Sequence, residues 1–135
     1  MRGRRLGALI VLLVLAGCAD SGGKAPDLEP VAKLAPGVKD CGVISLDQGE
    51  KIPASATACF VDSVQGGDAA RLIVTQPTVE GDPIVVTYSA SANGRIKVDT
   101  DTRADQYGTG RIEHQICTGP TAKSSEIDFD HCESS

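Results

Sequence analysis

The 135-residue chain has no tryptophan, and only two tyrosines, two phenylalanines and two histidines. So few rings leave no material for an aromatic-rich groove that would hold a sugar or a peptide. Two scattered histidines, His114 and His131, with no Gly-x-Ser-x-Gly turn anywhere, give no nucleophilic triad. No Cys-x-x-Cys pair occurs and no His/Cys cluster has ligand spacing, which argues against a structural zinc. Phosphate-cradling glycine loops are absent too; Gly22-Gly23 and Gly66-Gly67 read as linker and helix-end glycines. No apolar run reaches the roughly 20 residues that a membrane-spanning helix requires. Basic residues are also scarce, 13 against 18 acidic, and that balance speaks against nucleic acid, which needs a basic footprint. Nothing calls for a cofactor, and the chain reads as non-enzymatic.

The first eighteen residues are the most specific part of the chain. Arg2, Arg4 and Arg5 form a charged start, Leu6 to Gly17 is apolar or small, and Cys18 follows. That order is a signal peptide with a short apolar segment and small residues before the cut. Arg4-Arg5 lacks the following residues that a twin-arginine route would need, so general secretion is expected. Leu15-Ala16-Gly17-Cys18 resembles the lipobox of bacterial lipoproteins, position by position. The resemblance implies cleavage before Cys18, a diacylglycerol on its sulfur, and commonly an acyl chain such as palmitate on its amino group. Two or more acyl chains anchor stably where one does not. The expected location is the extracytoplasmic face of the cell membrane, with Ala19 giving no inner-membrane retention signal. The Gly/Ala/Val-rich, Trp-free composition is similar to that of small lipoproteins of high-GC Gram-positive bacteria.

Cleavage would sharpen the charge. Taking three arginines from 13 bases leaves 10 against 18 acids, a balance of −8. It would also leave Cys41, Cys59, Cys117 and Cys132, an even set in an oxidising compartment, where two disulfides are expected. Three connectivities are open, and Cys41–Cys59 with Cys117–Cys132 is the expected one. The organisation is then a leader at 1–17, a lipidated flexible tether at 18–40 and one small stapled domain at 41–135. The tether is rich in proline and glycine without periodicity. As a flexible coil of about 22 residues it reaches roughly 25 Å. A domain of about 95 residues has a marginal core, and disulfides commonly supplement it.

The fold class expected is α+β: one helix on an antiparallel sheet of about four to five strands. Cys41 to Leu46 is β-like. Pro53 to Gln65 reads as a helix, with proline in its first turn, Gly66-Gly67 after its end, and Ala56, Phe60, Val61 and Val64 on one face. Cys59 flanks that stripe, within reach of Cys41. Residues 70–76, 83–90, 95–100 and 111–117 alternate with period 2. Asn93-Gly94 suggests a two-residue turn, but only a three-residue loop, 92–94, puts Ala90, Tyr88 and Val86 on the face of Ile96 and Val98. In the fourth run, Ile112, His114 and Ile116 are read as the inward set, which makes His114 a core-edge histidine with one hydrogen-bond partner. A simple hairpin of 111–117 with 125–131 would leave Cys132 roughly 23 Å from Cys117, too far for a bond. The bond is preferred, with the tail looping back irregularly.

Two features bear on binding. The chosen register brings Glu80 and Asp82 to the same end of the sheet as Asp101 and Asp105, so a calcium or small-ligand site is one reading. Solvated turn acids, with Arg103 partnering one of them, is the other. The 99–110 stretch fails as an EF-hand, with Ala104 in place of the turn glycine and Gly110 in place of the final glutamate. Tyr107 is the one aromatic expected on a loop, where it either anchors a partner or packs within the loop. The leading expectation is a non-enzymatic binding domain with a protein or envelope partner.

Overall fold

The computed structural model describes residues 33–135; the leader, Cys18 and most of the tether lie outside the described residues. From Lys33 on, the chain forms β1 (Lys39–Ser45), α1 (Ala54–Gln65), β2 (Ala70–Pro77), β3 (Pro83–Ala90), β4 (Ile96–Asp101), β5 (Ile112–Lys123) and β6 (Glu126–Ser134). The strands make one sheet in sequence order, with β1 parallel to β2 and every later pair antiparallel. The α+β class stands, but there are six strands rather than four to five. The parallel pair follows from α1, because a helical crossover returns the chain to the end of the sheet where it started.

α1 begins after Pro53, whose φ of −56° suits a helix start, and ends at Gly66 and the positive-φ Gly67. It buries Ala56, Thr57, Phe60, Val61 and Val64. Opposite lie Ala70, Leu72 and Val74 of β2, Ala90 of β3, Ile96 and Val98 of β4 and Cys117 of β5. Phe60, Leu72, Ile96 and Cys117 are fully buried. At about 25 cal/mol per Å² of apolar surface, this layer is the main stabilising contact of the domain.

The β3–β4 register is the expected one: Tyr88 faces Val98, Ala90 faces Ile96, and Gly94 has a φ of 79°. A bulge between Asp40 and Val43, at Gly42, turns Cys41 toward the helix. Cys41 there bonds Cys59, with Cα atoms 5.7 Å apart.

Two expectations about β5 are corrected. Cys117, not Ile116, faces Ile96 in the core. Ile112, His114 and Ile116 therefore lie on the face away from α1, opposite Asp101, Asp99 and Lys97. The second correction concerns the tail, which is a regular strand. β5 continues past Cys117 to Lys123, so the turn sits at residues 124–125 and Cys117 stands directly opposite Cys132. The hairpin and the disulfide are thus compatible, and the Cys117–Cys132 bond spans Cα atoms 4.1 Å apart. Beyond Cys117, β5 no longer has β4 beside it, so Pro120 sits where one side of the strand is an edge.

Gly119 (φ 63°) interrupts the two-residue alternation, since Cys117 and Pro120, three apart, are both buried. The outer half of the hairpin packs onto the helix side of the sheet. Gln65 donates a hydrogen bond to the Pro120 carbonyl (3.1 Å), and Phe129 stacks on Tyr88 with centroids 6.4 Å apart. Helix and hairpin arm together cover the core.

Candidate interaction surface

The chain enters β1 at Lys39, beside Ala70, Ala90 and Ile96. The opposite end of the sheet carries three loops: β1–α1 (46–53), β2–β3 (78–82) and β4–β5 (102–111). The loops are joined. Gln48 Nε2 donates to the Val79 carbonyl (3.3 Å), and the Gln106 N–H donates to Asp82 Oδ2 (3.0 Å). The β2–β3 turn closes on itself, with the Thr78 N–H bonded to the Asp82 carbonyl (2.8 Å) and the Gly81 N–H to the Thr78 carbonyl (3.0 Å).

The β4–β5 loop is held as firmly. Its base is closed by the Thr102 N–H on the Arg111 carbonyl (3.0 Å), while Thr102 Oγ1 bonds Thr109 Oγ1 (2.8 Å). Asp105 Oδ1 accepts the Tyr107 N–H (2.9 Å), a local side-chain bond that fixes the backbone at Tyr107. The Tyr107 side chain is nevertheless 80% exposed, and Val79 on the neighbouring turn is 81% exposed. Packing within the loop, one of the two roles expected for Tyr107, is therefore not what the structure has. Sequence reading missed Val79; the signal was an aliphatic residue inside a four-residue turn.

The four acidic candidates share this end but do not gather. Among the described residues, no group of three or more His, Cys, Asp or Glu side chains is placed to hold a metal ion. Asp82 and Asp105 accept backbone N–H groups. Asp101 is gripped by Arg103 through Nε (2.9 Å) and Nη2 (2.7 Å), as the turn-acid reading expected. That hydrogen-bonded guanidinium holds the Asp101 carboxyl below the usual carboxylate range.

His114 keeps one side-chain partner, Asp99, its cross-strand neighbour, at 2.5 Å from Nδ1. Partial burial works against the charge on Asp99, but the His114 hydrogen bond and the Lys97 ammonium (2.9 Å) outweigh it and lower its pKa. A cleft of about 340 Å³ opens on the helix side between the β1–α1 loop and the hairpin tip, with Tyr88, Gln76 and Ile127 in its lining. Burial of Tyr88 raises its phenol pKa.

The sequence model of a family described as Domain of unknown function (DUF4362) matches residues 42–128, well over half of the chain. The chain belongs to this family. The matched span takes in α1, β2 to β5 and all three loops of the Tyr107 end, and it starts well after Cys18. No curated protein and no solved structure matches the chain.

Proposed function

We propose that the protein is a membrane-anchored, extracytoplasmic lipoprotein whose domain is a non-enzymatic module for binding another protein. Lipid on Cys18 holds it, and the loop end bearing Val79 and Tyr107 does the binding. The observation that carries this reading is the opposition of the two ends. The chain enters at Lys39, and the exposed Tyr107 stands at the other end, about 25 Å away along an eight-residue strand at 3.3 Å per residue. Attachment through the entry end leaves the Tyr107 end clear of the point where the tether joins the domain. Exposed tyrosines on hydrogen-bonded loops suit binding, because a fixed backbone leaves little to order on association. Two disulfides support an oxidising compartment.

Fractionation of cells making Cys18→Ser tests the anchor. The variant is expected in the soluble extracytoplasmic fraction with the wild type in the membrane fraction; a variant that stays membrane-bound sinks the lipid-anchor reading.

A further inference from the structure

The charges around Tyr107 narrow the choice of partner. On the three loops, Arg103 is paired with Asp101, and Arg111 lies 3.6 Å from Glu113. What remains is Asp47, Glu50, Glu80, Asp82 and Asp105 against Lys51. Two exposed apolar side chains thus share an end of the sheet whose remaining loop charges are mostly acidic. A second copy of this chain would bring the same acids into opposition, and a lipid surface rich in anionic head groups would be repelled in the same way. A partner with basic side chains around an apolar pocket is attracted on approach and gives Tyr107 somewhere to bury its ring.

We infer that the Tyr107 end docks onto a protein that offers an apolar pocket bordered by lysine or arginine side chains. This rests on the proposed binding role, and it adds a chemistry that can fail separately. Tyr107 supplies the apolar anchor, Val79 widens the contact, and Glu80, exposed in its turn, supplies charge. The acids at 82 and 105 hold the loops in place as well as bordering them.

The test places the photo-crosslinker p-benzoylphenylalanine at position 79 of the full chain in its native envelope. Val79 is exposed and only its carbonyl is used internally, so the replacement leaves the turn intact. One reproducible protein adduct is expected, about tenfold weaker in Tyr107→Ala, as for an anchoring aromatic. Its yield should drop several-fold in Glu80→Lys. It should also drop when salt rises from about 0.1 M to about 1 M, which shortens the screening length from about 10 Å to about 3 Å. Sequencing the adduct should place lysine or arginine beside the crosslinked peptide. An adduct that needs Tyr107 but ignores salt and Glu80→Lys overturns the basic-pocket inference and leaves the binding role standing. An adduct to a second copy or to lipid overturns the inference as well. Absence of any adduct overturns both.

Discussion

Single residues set several features of this domain, and each can be tested by one substitution. Gly119 holds a φ of 63°, and a Cβ there would run into the Asp130 carboxylate. Gly119→Ala should therefore cost about 1–3 kcal/mol in denaturant unfolding. Adding Asp130→Ala should recover part of that loss, removing the contact with the carboxylate but neither the contact with the Cβ of residue 130, 2.8 Å away, nor the backbone strain. If the single variant is as stable as wild type, the kink does not depend on glycine. Tyr88 gives a second measurement. Its phenol is raised by burial, so the unfolded chain ionises first as pH climbs past about 10, and the Tyr88 contribution to stability is lost upward from there. In Tyr107→Phe, leaving one phenol, absorbance titration should show ionisation above the ordinary range. Asp101 has the opposite sign. Its lowered pKa stabilises the fold above the ordinary carboxylate range and is lost as pH falls through the folded value. The Arg103 pair is partly solvent-exposed, so Asp101→Asn should cost less than about 1 kcal/mol at pH 7, and that cost should shrink as pH falls through the folded value.

At the scale of elements, the hairpin arm of β5 and β6 is what the Cys117–Cys132 bond secures. It closes a span of 15 residues, worth about 3 kcal/mol in the chain-entropy model. Replacing both cysteines by serine should lower stability by about that amount, and more if a serine hydroxyl is left unpartnered in the buried site of Cys117. Non-reducing peptide mapping of the wild type should return 41–59 and 117–132; any crossed pair contradicts the arm as described. This arm was also where the sequence was least legible. α1 and the β2–β4 meander could be read, because the Phe60 stripe has helical spacing and only one loop length at 92–94 buries a single face. The loop end proposed to bind was half legible, since Tyr107 stood out and Val79 did not. In β5 the isoleucines suggested an inward set, while the actual inward residue is a disulfide cysteine that a hydropathy pattern undervalues. Thr118-Gly119-Pro120 looks like the end of a strand. It continues as one because the neighbour on one side has ended, which is a fact about β4 and not about local sequence.

For the whole molecule, the question is whether helix, sheet and arm unfold as one body. The buried layer is small, and its aromatic contacts run through all three parts: Phe60 of α1 meets Tyr88 of β3 at 5.8 Å, and Tyr88 meets Phe129 of β6 at 6.4 Å. Residues coupled through a shared core lose their contacts together, so a domain of this size is expected to unfold in one step. Tyr107→Phe leaves Tyr88 as the only tyrosine, a fluorescence reporter at the centre of that chain of rings. Its thermal transition should coincide with loss of backbone ellipticity. Reduction of both disulfides should move the two curves downward together, since each bond restrains the unfolded chain over 15 to 18 residues. If the Tyr88 signal changes before the ellipticity does, the arm undocks as a separate unit, and the Tyr107 end is carried by the sheet and helix alone.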